Sequence, residues 1–155
     1  MHQKTKKKMA KLSKNFTLEE LCFSVTALNN GWDNTPNSEA KAALKRLAVE
    51  VLQPIRDAWG QPLIVSSGYR SPKLNAIVGG VKNSQHILGQ AADIKATNPA
   101  DNGKLFKCVK KLIDSGKIKV GQCIWEYGSR TCPKWVHVSL PRQRKKNNQF
   151  VYYYS

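Results

Sequence analysis

Residues 84–93 read SQHILGQAAD, and their reading decides how the rest of the chain is taken. The polar SQH is loop-like, whereas QAADIK reads as a strand from Gln90 to Lys95. Gly89 lies between them and permits a sharp turn, because glycine adopts backbone angles closed to other residues. The stretch therefore places His86 on a loop and Asp93 on a strand, seven residues apart. Both are zinc-ligand types, since zinc accepts imidazole nitrogen and carboxylate oxygen. The chain has three histidines; His2 lies in a lysine-rich start, and His137 falls in PKWVHVS. If Asp93 and His137 sit on adjacent strands, three side chains can face one metal. A catalytic zinc site commonly has three protein ligands and a water whose pKa the metal lowers. Spacing alone leaves the alternative open that these are unrelated polar residues.

Working outward, LIVSS at 63–67 has the apolar, β-branched character of a short strand, and GYRSP turns the chain out of it. A short helix is expected around 72–77, and the pair Gly79-Gly80 opens the loop that carries His86. Upstream, Thr17 and Glu20 form a capping box. Leu18, Leu21, Cys22 and Val25 then give a helical stripe expected to end near Asn29. A longer helix from about Ser38 buries Ala40, Leu44, Leu47, Val51 and Ile55, with Pro54 expected to kink it. Downstream, Lys104–Ser115 reads as an amphipathic helix closed by Gly116. Residues 121–127 and 134–139 read as an antiparallel hairpin, and QFVYYY adds an edge strand or remains an aromatic tether. Helices come early and strands are few, which indicates a single compact α+β domain with a small antiparallel sheet flanked by helices.

The net charge of +16 is unevenly placed. All ten acidic residues lie between Glu19 and Glu126, while residues 1–14 hold six lysines. Arg142, Arg144, Lys145 and Lys146 add four more charges near the other end. The expected organisation is a disordered basic leader over 1–14, a domain over 15–141 and a basic, aromatic tail over 142–155. Basic ends attract polyanions such as nucleic acid, anionic membrane or acidic envelope polymer. No motif that reads nucleic-acid sequence accompanies them, so no specific nucleic acid is expected. No stretch approaches the roughly 18 apolar residues of a membrane span. The basic start is followed by NFTLEELCF rather than an apolar core, so no Sec signal peptide and synthesis in the cytoplasm are expected. Cys22, Cys108, Cys123 and Cys132 lack paired-knuckle spacing, and they are read as reduced thiols.

Three motifs together, SGYRS at 67–71, SQHILGQAAD at 84–93 and WVH at 135–137, resemble the zinc D-alanyl-D-alanine carboxypeptidase family. That family includes bacteriophage L-alanyl-D-glutamate endopeptidases and shares its metal-site architecture with the hedgehog signalling domain. The resemblance covers about residues 16–140. It implies a hedgehog/DD-peptidase type fold and one zinc ion held by His86, Asp93 and His137. It further implies a peptidoglycan stem peptide as substrate, with Arg70 at the substrate carboxylate or developing oxyanion. Ser84, Tyr69 and Trp135 are the candidate substrate contacts, although Ser84 also suits a turn cap and the two aromatics also suit a core. Many relatives carry an acidic residue three positions before the final histidine; here Lys134 stands there. Glu126, in the IWE segment, matches the glutamate of other relatives and is the candidate general base. Hydrolysis by a carboxypeptidase or an endolysin-like endopeptidase is the expected activity. The protein is expected to be a monomer that reaches the wall by lysis-type release, or to be carried in a phage particle. The competing expectation is a non-catalytic zinc-containing binding or structural protein, with Lys134 as its motive.

Overall fold

A computed structural model of the chain describes residues 10–155. The leader expected over 1–14 therefore falls mostly outside the described residues. Its last part, 10–14, is ordered: Leu12 is buried in the core, and Lys11 bridges Thr17. The leader boundary thus needs correction, because Leu12 provides apolar contact that the surrounding lysines mask in the sequence.

The first helical stripe is divided into α1 (Leu18–Cys22) and α2 (Val25–Asn29). Thr17 Oγ1 accepts from the Glu20 N–H, as the capping box requires. Phe23 then goes extended, and Ser24 Oγ accepts from the Ala27 N–H, starting a helix of its own. A second N-cap inside the stripe outweighs its apolar periodicity. α3 (Ser38–Leu47) follows, capped by Asn37, and runs through a wide π turn at Ala48–Leu52 into α4 (Gln53–Trp59). Pro54 cannot donate a helical hydrogen bond and crowds the preceding turn, so the expected disturbance takes the form of a π segment. Leu44, Leu47, Val51 and Ile55 are fully buried on this rod.

The sheet comprises β1 (Leu63–Ser67), β2 (Ala91–Ala96), β3 (Gln122–Glu126), β4 (Trp135–Ser139) and β5 (Gln149–Tyr153). Its order is β1-β2-β4-β3-β5. β1, β2, β4 and β3 pair antiparallel, but β5 lies parallel to β3. The single α+β domain expected from the sequence is the observed fold, and QFVYYY forms an edge strand that lies parallel to its neighbour. Residues 140–148 cross the start of β3, from Ser139 on one side of it to Gln149 on the other, so β5 runs in the direction of β3.

The two faces of the sheet have different roles. One packs against α6 (Asn102–Asp114), with the Phe106 ring 5.2 Å from Trp125 and 5.4 Å from Tyr152. α5 (Pro72–Ile77) and the loop 78–90 lie near the other face, which presents Asp93, His137, Ile124, Gln122 and Glu126 to a cavity. Strand alternation explains the division, since residues two apart share a face. All four cysteines are free thiols, and burial raises the pKa of the Cys123 thiol to about 12. Among the described residues, no helix is long and apolar enough to cross a membrane.

Candidate metal centre and cleft

Register brings the three predicted ligands together. Asp93 of β2 pairs directly with His137 of β4, and directly opposed residues project from the same face. His86 arrives on the loop before β2, with Gly89 in the left-handed region at φ 72°. A β-carbon at Gly89 would also approach the Ala40 carbonyl oxygen to 2.4 Å, so both conformation and space call for glycine there. The ligand atoms of His86, Asp93 and His137 lie within 4.8 Å of one another.

Hydrogen bonding prepares the histidine for a metal. His86 Nδ1–H donates to the Gly68 carbonyl at 2.7 Å, which leaves the Nε2 lone pair free. That Nε2 is buried without a hydrogen-bond partner, 3.4 Å from Asp93 Oδ1. Two ligands on tetrahedral zinc are separated by about 3.3 Å when each bond is about 2.0–2.1 Å. His137 Nδ1 lies 2.9 Å from the same carboxylate oxygen. Burial tends to raise the Asp93 pKa, but the neighbouring imidazoles of His137 and His86 outweigh it and hold the carboxyl below its usual range. An orphaned imidazole nitrogen beside an ionised carboxylate and a second imidazole fits one zinc ion.

Arg70 supports this cluster. Its Nε donates to Ser67 Oγ at 3.0 Å, its Nη1 donates to Asn75 Oδ1 at 2.9 Å, and its Nη2 lies 3.6 Å from Asp93 Oδ2. A register shift in β1 between Val65 and Ser67 marks the strand end that supplies the serine. Gly80 closes over the pair: a β-carbon there would meet Asn75 Oδ1 at 2.1 Å and Arg70 Nη1 at 2.6 Å.

The cavity has a volume of about 550 Å³, and Arg70, Ser84, His86, Asp93, Glu126, Trp135 and His137 all line it. Ser84 Oγ accepts from the His86 N–H at 3.1 Å, so its turn-capping part is visible. Trp135 has a buried indole N–H without a partner and meets Tyr127 edge-on at 5.3 Å. Of the two readings left open for Tyr69, the structure has the core one: it is buried there and does not line the cavity. Its N–H donates to the Leu21 carbonyl, which ties the SGYRS turn to α1. Glu126 is half-buried, and its pKa is raised, first by burial and then by the Asp93 charge; His137 and Arg70 oppose the shift. Lys134 is exposed and lies outside the cavity lining. Sequence reasoning missed Gln122, Ile124, Tyr127, Arg142 and Tyr153 as lining residues. Two-residue alternation from Glu126 could have found Ile124 and Gln122, whereas Tyr153 depends on the unforeseen parallel pairing.

A family profile described as Peptidase M15 matches residues 14–139. The chain belongs to the peptidase M15 family. This M15 chain is also similar to a zinc D-Ala-D-Ala carboxypeptidase of Streptomyces albus G, with 39% identity over 84 residues. The similarity covers 53% of the M15 chain and 31% of that relative, so less than a third of the carboxypeptidase is represented.

Proposed function

We propose that this protein is a zinc-dependent peptidase that hydrolyses an amide bond of the peptidoglycan stem peptide. The observation that carries the reading is the joining of His86, Asp93 and His137 in one cavity with the half-buried carboxylate of Glu126. The zinc carboxypeptidase relative supports the choice of substrate class.

In this reading His86, Asp93 and His137 hold the ion. Bound zinc supplies Lewis acidity and makes water a stronger acid at neutral pH. Glu126 takes a proton from the attacking water onto a carboxylate oxygen and returns it to the leaving nitrogen. Its raised pKa suits both transfers better than a fully solvated glutamate would. Arg70 acts as a positioning residue through Asp93, and its charge favours the negative charge that develops on the carbonyl oxygen. Ser84 fixes the His86 backbone, while Trp135 forms part of the cleft wall beside Glu126. Lys134 leaves the general-base position to Glu126 across the hairpin, where Glu126 pairs with Trp135.

Zinc-loaded protein incubated with purified peptidoglycan should release a new amine and shortened stem peptides. Product masses then distinguish removal of a terminal residue from internal cleavage. Bound zinc with no released amine would contradict the proposal and favour a zinc-containing binding protein.

A further inference from the structure

The cavity contains two arginines in different circumstances. Each nitrogen-bearing arm of Arg70 faces a protein partner, in Ser67, Asn75 and Asp93. Arg142 also lines the cavity, but its Nε is buried without a hydrogen-bond partner. Among the described residues, Arg142 makes no side-chain hydrogen bond or ion pair.

The backbone around Arg142 is firmly held. Its N–H donates to Asn147 Oδ1 at 2.9 Å, and its carbonyl accepts from Asn147 Nδ2 at 3.0 Å. Before it, the Leu140 N–H donates to Gln90 O and the Leu140 carbonyl accepts from Gln85 Nε2. After it, Asn148 exchanges hydrogen bonds with Val120 through its N–H and Oδ1. The segment is therefore pinned to the His86 loop and to the approach to β3. These contacts use backbone or neighbouring side chains and leave the Arg142 guanidinium uncommitted.

Only the Nε is buried; the residue is half-buried, and its unpartnered terminal nitrogens stay accessible for a ligand to pair with. A guanidinium fits a carboxylate through paired N–H donors. We infer that Arg142 is a specificity-determining residue that binds a carboxylate of the peptide substrate, separate from the hydrolysed amide. The Arg142 segment adjoins Gly121 and Gln85, so it meets the cavity at the Gln122 end of β3. Ile124 is paired with His137, and the two strand steps from Ile124 to Gln122 span about 6.6 Å. The Arg142 segment thus meets the cavity about two strand residues from the level of His137. Arg142 lies beyond the family match, which ends at residue 139, so this contact is supplied by the chain's own C-terminal segment. The inference rests on the peptidase reading for its substrate class.

The test uses a synthetic stem peptide with free carboxylates and versions in which each carboxylate is replaced in turn by a carboxamide. With zinc-loaded full-length protein, one replacement should lower kcat/KM by roughly 10- to 100-fold, the worth of a hydrogen bond between charged groups. Arg142→Gln should lose most of that discrimination, while Arg142→Lys should recover part of it through charge alone. The same peptides are also titrated into zinc-loaded Glu126→Gln protein, with and without Arg142→Gln, to read affinity independently of turnover. Equal acid-to-amide discrimination with and without Arg142 in these titrations would overturn the inference. If native protein cleaves no peptide, the peptidase proposal fails separately. A carboxylate preference that disappears with Arg142 would still establish the binding contact.

Discussion

At His86 the bond to Gly68 leaves one imidazole nitrogen available, and Asp93 and His137 converge beside it. His86→Ala or Asp93→Asn should therefore remove most zinc from the purified protein, as measured by metal analysis after dialysis. Glu126→Gln should instead keep its zinc and lose on the order of 10²- to 10⁴-fold in kcat, the usual range for a general base. The Glu126 pKa is raised by burial and by Asp93. As a base it must be ionised, so kcat/KM should fall as pH drops through that raised value. That acid limb should disappear from any residual activity of Glu126→Gln. The ligand triad and Glu126 were legible because short motifs surround them. For Tyr69 the cleft and the core stayed open, because SGYRS does not show which of its side chains turns inward. Asn75 lacks a local signal: its role arises only when α5 brings it against Arg70.

At the scale of elements, the β2–β4 register aligns the ligands and the Gly80 turn holds Arg70. Gly80→Ala should displace Asn75 or Arg70 and lower metal affinity or kcat/KM by on the order of 10- to 100-fold, typical of residues that orient ligands. A near-native circular dichroism spectrum would identify the loss as local. On the opposite face, Phe106→Ala should destabilise the fold by about 3–5 kcal/mol in urea denaturation, since the ring is buried against Trp125. Strand and helix positions could be read largely from periodicity. The separation of α1 from α2 was hidden because Ser24 is a weak cap signal within an apolar stripe. The direction of β5 was hidden for another reason: pairing direction depends on the path of residues 140–148, which local propensity does not specify.

For the whole molecule, the net charge of +16 is concentrated toward the ends, while the cavity mixes acidic and basic groups. Adsorption to an anionic envelope polymer should weaken as salt is raised from 0.05 to 0.5 M, because screening shortens the range of exposed charges. Cosedimentation with purified walls tests this, and salt-independent retention would assign binding to the cleft rather than to charge. The same whole-molecule arrangement gathers His86, Asp93, His137, Glu126 and Arg142 around one cavity beside the sheet. Together these groups are proposed to hydrolyse a stem-peptide amide. The most direct measurement compares native and Glu126→Gln proteins, matched for zinc content, on one defined stem peptide by mass spectrometry. The native protein should yield a shortened product, and Glu126→Gln little or none. Intact peptide with both proteins, or equal cleavage by both, would contradict it.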